Sequence, residues 1–157
     1  MGAFGTVDAD WMIEHLGLEP HPEGGYYRET WRHDPGDGSR GSGTAVYFLL
    51  REGQRSYWHR VDADELWLYH LGAPVTLRIQ QGDEPVTVHV LGPDLASGEE
   101  PQVLIPAGAW QTADAPDGTT LVTCTVSPAF QFEGFELAPP DWTPDLPTPC
   151  SGGAGDP

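Results

Sequence analysis

The apolar positions of this chain fall in short runs, broken by glycine, proline and aspartate. EPVTVHVLG (84–92) sets Val86, Val88 and Val90 against Thr87 and His89. That is the period-two alternation of a half-buried strand. VTLRIQQGD (75–83) alternates in the same way and closes in a Gly-Asp turn. GTAVYFLL (43–50) reads as a strand buried on both faces, and TTLVTCTV (119–126) as a late core strand. QVLIPAGAW (102–110) and FQFEGFEL (130–137) follow the same grammar, and the three phenylalanines of the latter suit a barrel end or a subunit contact. About seven to ten short strands at regular spacing predict an all-β sandwich or barrel.

One segment breaks the pattern. TVDADWMIEHLGL (6–18) predicts a short N-terminal helix. Thr6 or Asp8 supplies the cap, Val7, Trp11 and Leu16 form the apolar stripe, and Gly17 ends it. Its expected place is over one side of the barrel. RHDPGDGSRGSG (32–43) is turn-rich and predicts a mobile loop, and PDLASGEEPQ (93–102) a second loop. Residues 1–140 make one expected domain, and the Pro/Gly-rich stretch 141–157 a flexible C-terminal tail.

The chemistry gathers between Gly53 and Gly72, GQRSYWHRVDADELWLYHLG. Two aromatic, β-branched strands flank an acidic turn. Strict alternation puts Tyr57, His59 and Val61 on one face of the first strand. On the second it puts Glu65, Trp67 and Tyr69 on one face and His70 on the other. A His and a Glu facing the same way across a short turn make a pocket pair. A second informative stretch is EGGYYRETW (23–31), where alternation groups Tyr26, Arg28 and Thr30. Arg28 in or beside the pocket would offer a planar fork to a carboxylate or phosphate; an ordinary edge strand is the alternative.

The spacing resembles the first motif of the cupin superfamily, G-x5-H-x-H-x3–4-E-x6-G. Gly53, His59, Glu65 and Gly72 fall in register, and Val61 stands in place of the second histidine. The second cupin motif, G-x5-P-x-G-x2-H-x3-N, keeps Pro106 and Gly108. Glu100, Gln111 and Ala115 replace its first glycine, its histidine and its asparagine. HPEGGYYRET (21–30), WHRVDADELW (58–67), PAGAWQ (106–111) and CTVSPAFQFEGFEL (124–137) resemble a small cupin family, cupin family five, formerly a domain of unknown function. The resemblance implies a double-stranded β-helix (a cupin jelly-roll barrel), a small-molecule ligand and a homodimer formed through the N-terminal strands.

Charge narrows the partners. The 157 residues carry a formal net charge of −17, and all seven basic residues are arginine. That balance argues against nucleic acid, which needs a basic footprint, and against anionic membrane surfaces. No apolar run is long enough to span a bilayer, and the N-terminus lacks a signal-peptide pattern, so a cytoplasmic location is expected. Cys124 lies in an apolar run and reads as a buried small hydrophobe; Cys150 lies in the tail.

Three functions follow. The first is an isomerase, epimerase or lyase with His59 as general acid/base and Glu65 orienting it or sharing the proton. Arg28, Tyr26, Tyr57, Trp67, Tyr69 and Gln111 would contact substrate. Metal-free cupins similar in this respect include sugar-nucleotide epimerases. The second is a metal-dependent oxygenase or lyase, with a divalent ion on the depleted set His59, Glu65 and Gln111. The third is a non-catalytic binding module, a sugar or metabolite sensor; apart from these, a buried His–Glu pair can simply satisfy itself in a barrel core.

Overall fold

The computed structural model describes residues 8–144. Helix α1 (Ala9–Leu16) is followed by β1 (Glu19–Pro20), β2 (Tyr26–Arg32), β3 (Thr44–Leu50), β4 (Arg55–Val61) and β5 (Asp64–Gly72). Then come β6 (Val75–Gln80), β7 (Thr87–Leu91), β8 (Gln102–Ile105), β9 (Trp110–Asp114), β10 (Thr120–Ser127) and β11 (Phe135–Leu137). Two antiparallel sheets result, ordered β1-β2-β3-β10-β5-β8 and β11-β4-β9-β6-β7. This is the expected all-β double-stranded β-helix with one short helix.

The helix begins at the expected cap: the Asp8 carboxylate accepts the Trp11 N–H at 3.1 Å. Gly17 ends it with φ 67°, the left-handed region open to glycine. The stripe differs from the expected one. Ala9 and Met12 are buried, with Ile13 and Leu16 packed beside them, because positions three, four and seven apart share a helix face. Trp11 is off that face, 54% exposed, and stacks on His15. Thr6 and Val7 lie outside the described residues.

The main core lies between the sheets. Phe48, Leu50, Trp67, Leu77, Ile105 and Val122 are among its members. GTAVYFLL and TTLVTCTV pair with each other along their lengths as β3 and β10, and Phe48, Leu50, Val122 and Cys124 carry them into the main core. The 32–43 loop is pinned: Arg40 donates to both Asp62 carboxylate oxygens, at 2.8 and 3.1 Å, and to the Ala129 carbonyl at 2.7 Å. At the far end Trp142 packs against Trp58 and Trp110 on the outer face of the second sheet. Residues 145–157, Cys150 included, lie outside the described residues.

Two β-bulges decide what faces the barrel interior. In β2, Glu29 pairs with Val46 but Trp31 pairs with Ala45, so Thr30 is an extra residue. In β4, Ser56 pairs with Ala113 but His59 with Gln111. Each bulge resets the alternation, so residues three apart, Glu29 with Arg32 and Ser56 with His59, face the same side. A third shift, at Leu121/Val122 opposite β5, falls beyond Glu65 and Trp67 and leaves His70 exposed, bonded to the Thr123 hydroxyl.

The chain enters β2 through a tight turn, His21–Gly25, closed by His21 N–H to the Gly25 carbonyl at 2.9 Å. It is tied to β4 by the Tyr57 N–H donating to the Glu23 carbonyl at 2.6 Å. Gly24 has φ 103°, and a Cβ there would run into the Arg55 carbonyl. Gly24→Ala is therefore expected to cost about 1–3 kcal/mol, read as a lowered midpoint in urea unfolding. An unchanged midpoint would contradict this packing.

Candidate functional site

Strand β4 places His59 and strand β5 places Glu65 on the wall of one cavity of about 310 Å³. The turn before β2 adds Glu23 and His21, and the segment after β10 adds Phe130 and Phe132. The remaining lining is largely apolar, with Val46, Phe48, Val61 and Val126 among it. Val61, which takes the position of a cupin histidine, thus gives the cavity a methyl surface in place of a donor.

His59 is 1% exposed. Its Nδ1–H donates to the Tyr57 carbonyl at 2.8 Å, which fixes the tautomer and leaves the Nε2 lone pair free. Nε2 lies 3.3 Å from Glu23 Oε2. Glu23 is held in turn: the Ser56 hydroxyl donates to Oε1 at 2.8 Å, and the Glu23 N–H donates to His21 Nδ1 at 3.1 Å. The β4 bulge brings Ser56 and His59 onto the one carboxyl together. Phe135 packs on the imidazole, its centroid 5.6 Å away.

Burial sets the charge states. It pushes the Glu23 carboxyl up to about 8, only partly offset by the Ser56 hydroxyl. Glu65 rises to about 7, again by burial, with Glu23 adding to the rise and His59 opposing it. Burial lowers His59, against the pull of Glu65, and lowers His21 to about 4. In a low dielectric the charged form of each group is disfavoured. Below about pH 7 the site therefore holds neutral imidazoles beside protonated carboxyls, an arrangement suited to moving protons.

Glu65 sits at the end of a buried chain. The Trp67 Nε1–H donates to Gln111 Oε1 at 3.1 Å, and Gln111 Nε2–H donates to Glu65 Oε1 at 2.8 Å. Gln111 thus holds Glu65 from outside the cavity lining, and Trp67 is a core residue packed edge-on to Phe48. The Cys124 thiol also bonds to Glu65, and burial beside that carboxyl raises it well above its ordinary range, which suits a donor and not a nucleophile.

Four expected substrate contacts are placed elsewhere. Arg28 donates to the Leu16 carbonyl at the end of α1, at 3.0 Å. Tyr26 packs in the cluster beneath α1, with Arg51 over its ring. Tyr57 is 38% exposed, turned outward by the bulge that turns His59 inward. Tyr69 donates to the Gly72 carbonyl at 2.6 Å, away from the cavity lining. Glu23 and His21 were missed by alternation because they precede a strand. The available signal was the acid beside Gly-Gly in HPEGGYY, where a close backbone approach carries its neighbour inward.

The set His59, Glu65 and Gln111 does not suit a divalent ion. The Gln111 carbonyl oxygen is taken by Trp67 and its amide faces Glu65. Among the described residues no three His, Cys, Asp or Glu side chains gather in a metal-binding group.

A two-sheet jelly-roll barrel with a His–Glu cavity in its wall has the architecture of a cupin. The chain belongs to the Cupin superfamily (DUF985), whose family model matches residues 10–138. It is similar to a solved protein from Shewanella oneidensis, at 43% identity and TM-score 0.80, covering 85% of each chain. A hypothetical protein from Leishmania major shares 32% identity, with TM-score 0.77, over 84% of this chain and 88% of that one. Oxalate decarboxylase from Bacillus subtilis matches in fold alone, at 14% identity and TM-score 0.60, over 75% of this chain and 29% of that one. None of the curated proteins matches the sequence. Among the described residues no helix is long and apolar enough to cross a membrane.

The buried carboxyls predict a pH dependence of stability. The depressed His21 and His59 contribute stability that is fully present above the ordinary histidine value near 6.5. The raised Glu23 and Glu65 contribute stability that is lost as pH rises through about 7 to 8. From pH 6.5 to about 8 the melting temperature should therefore fall, and level off above. Glu23→Gln should flatten that fall; an equal slope in both proteins would show that Glu23 does not ionise in this window.

Proposed function

We propose that this chain is an acid–base enzyme of the isomerase, epimerase or lyase type, acting on a small hydroxy-carbonyl compound. The observation that carries this reading is the contact of His59 Nε2 with Glu23 Oε2 on a cavity wall, with Glu65 nearby. In the reaction the Nε2 lone pair takes a proton from the carbon beside the substrate carbonyl. The C–H bond breaks, an N–H bond forms, and negative charge moves to the carbonyl oxygen. The Glu23 and Glu65 carboxyls, kept protonated by burial, donate hydrogen bonds to that oxygen. Return of the proton to the other face of the carbon gives epimerisation. Departure of a β-hydroxyl as water, protonated by a carboxyl, gives elimination. Apolar walls exclude water and keep the acids neutral.

The test is solvent-deuterium incorporation into a panel of free keto and aldo sugars and their hydroxy acids. His59→Gln should reduce exchange by about 10²–10⁴-fold with little change in melting temperature. Loss of folding, or exchange unaffected by the substitution, would favour a core histidine and a binding role.

We infer in addition a homodimer built on β2. Strand β1 pairs only with Tyr26 and Tyr27, so among the described residues no strand covers the outer edge from Arg28 to Arg32. Such an edge invites a second strand, and Trp31 beside it is 51% exposed. Light scattering should give twice the 17.0 kDa chain mass, and Trp31→Lys should shift the population towards monomer. A monomeric wild type would remove this reading.

A further inference from the structure

The solvent-facing side of the cavity lining carries an ion pair. The bulge at Thr30 sets Glu29 and Arg32 on the same side of β2, and both line the cavity. Arg32 Nε donates to Glu29 Oε1 at 2.9 Å and Nη2 donates to Oε2 at 2.7 Å. Its Nη1 donates to the Phe130 carbonyl at 2.9 Å. This is a bidentate, fork-on-carboxylate contact, and it faces the guanidinium edge that would otherwise receive an anion.

Arg32 is the one Lys or Arg among the lining residues. The other lining ionisable groups carry no compensating positive charge. Deeper in the wall, His21 and His59 are neutral, and Glu23 and Glu65 are neutral below about pH 7 and negative above about pH 8. The wall is therefore uncharged or negative, and at no pH near neutrality does it offer a free cation. An anion entering it would lose its hydration without gaining a counter-charge, which is costly. The chain's net charge of −17 adds repulsion on approach.

We propose that Glu29 is a specificity-determining residue, an internal counter-ion that occupies Arg32 so that the cavity accepts uncharged ligands and refuses carboxylates and phosphates. Glu29 works through Arg32 and takes no part in the proton transfer. This inference rests on the reading of the cavity as a small-molecule site, and it narrows the substrate class to uncharged hydroxy-carbonyl compounds.

Benzamide and benzoate test it, because they have the same shape and differ in charge. Binding of each is measured by calorimetry at pH 6.5 to wild type, Glu29→Gln and the double variant Glu29→Gln/Arg32→Gln, with melting curves to establish folding. The wild type should bind benzamide and bind benzoate more weakly. Glu29→Gln should gain about tenfold or more for benzoate with benzamide unchanged, and the double variant should lose that gain. Benzoate binding no tighter to folded Glu29→Gln than to wild type overturns the proposal, as does a gain that survives loss of Arg32. Failure of the acid–base reading is seen separately: His59→Gln would leave deuterium exchange unaffected while the charge preference stayed intact.

Discussion

The site depends on one costly act, the burial of two carboxyl groups inside a β-barrel. A carboxylate stripped of water is expensive, and the usual remedy in proteins is an arginine or lysine partner. Here, among the described residues, neither Glu23 nor Glu65 has one. Each is met by neutral donors: Ser56 for Glu23, Gln111 and Cys124 for Glu65. Those donors satisfy the oxygens without stabilising the negative charge enough to restore an ordinary carboxyl. The cheaper outcome is that the acids keep their protons. The same burial strips His59 of its charge. One desolvated space thus converts an acid–base triplet that would be ionic in water into a neutral one, with transferable protons on the carboxyls and a free lone pair on the imidazole.

Much of this was legible in the residues. The period-two runs pointed to the barrel, Asp8 and Gly17 marked the ends of α1, and Gly53, His59, Glu65 and Gly72 marked the barrel segment that carries the site. His59 and Glu65 do share one cavity. What alternation could not supply was the phase of each strand. A bulge inserts one residue and exchanges the faces of everything beyond it. In β4 this separates Tyr57 from His59, although they are two apart, and unites Ser56 with His59, although they are three apart. In β2 it brings Arg32, still exposed, to the cavity side, while Arg28 is spent on the carbonyl at the end of α1. Neither bulge is marked by glycine at its own position, so no local signal announced it. Trp67 and Gln111 lie at the expected face but deeper in the wall, where distance from the cavity and not direction decides their role.

Glu23 shows a different limit. Its position is set by the backbone of the turn, through the Tyr57 N–H and the close approach of Gly24 to Arg55. These are tertiary contacts between segments more than thirty residues apart. The sequence displays the permissive glycines but not the strand they lean on. The same geometry couples the turn to the site. Whatever shifts Gly24 against β4 also shifts the Glu23 carboxyl against His59.

The balance of the cavity constrains what chemistry it can do. A base works best when its conjugate acid is matched to the operating pH, and the same holds for an acid. His59, lowered by burial, is a weaker base than free imidazole but is wholly deprotonated at neutral pH. Glu23 and Glu65, raised to about 8 and about 7, are weak acids that still hold protons there. Burial has thus set a neutral base beside neutral acids, so a proton taken up by one can be matched by a proton given by another. That favours reversible reactions, in which proton removal and return are balanced. It disfavours reactions that leave a full charge behind. An incoming carboxylate or phosphate would disturb this balance twice. It would introduce a charge with no partner, and its field would raise the carboxyls and His59 alike, making the imidazole easier to protonate and undoing the neutral state that burial sets. A cavity tuned by desolvation therefore works best on a neutral guest, and the Glu29–Arg32 pair on its solvent-facing side is placed where that condition can be enforced.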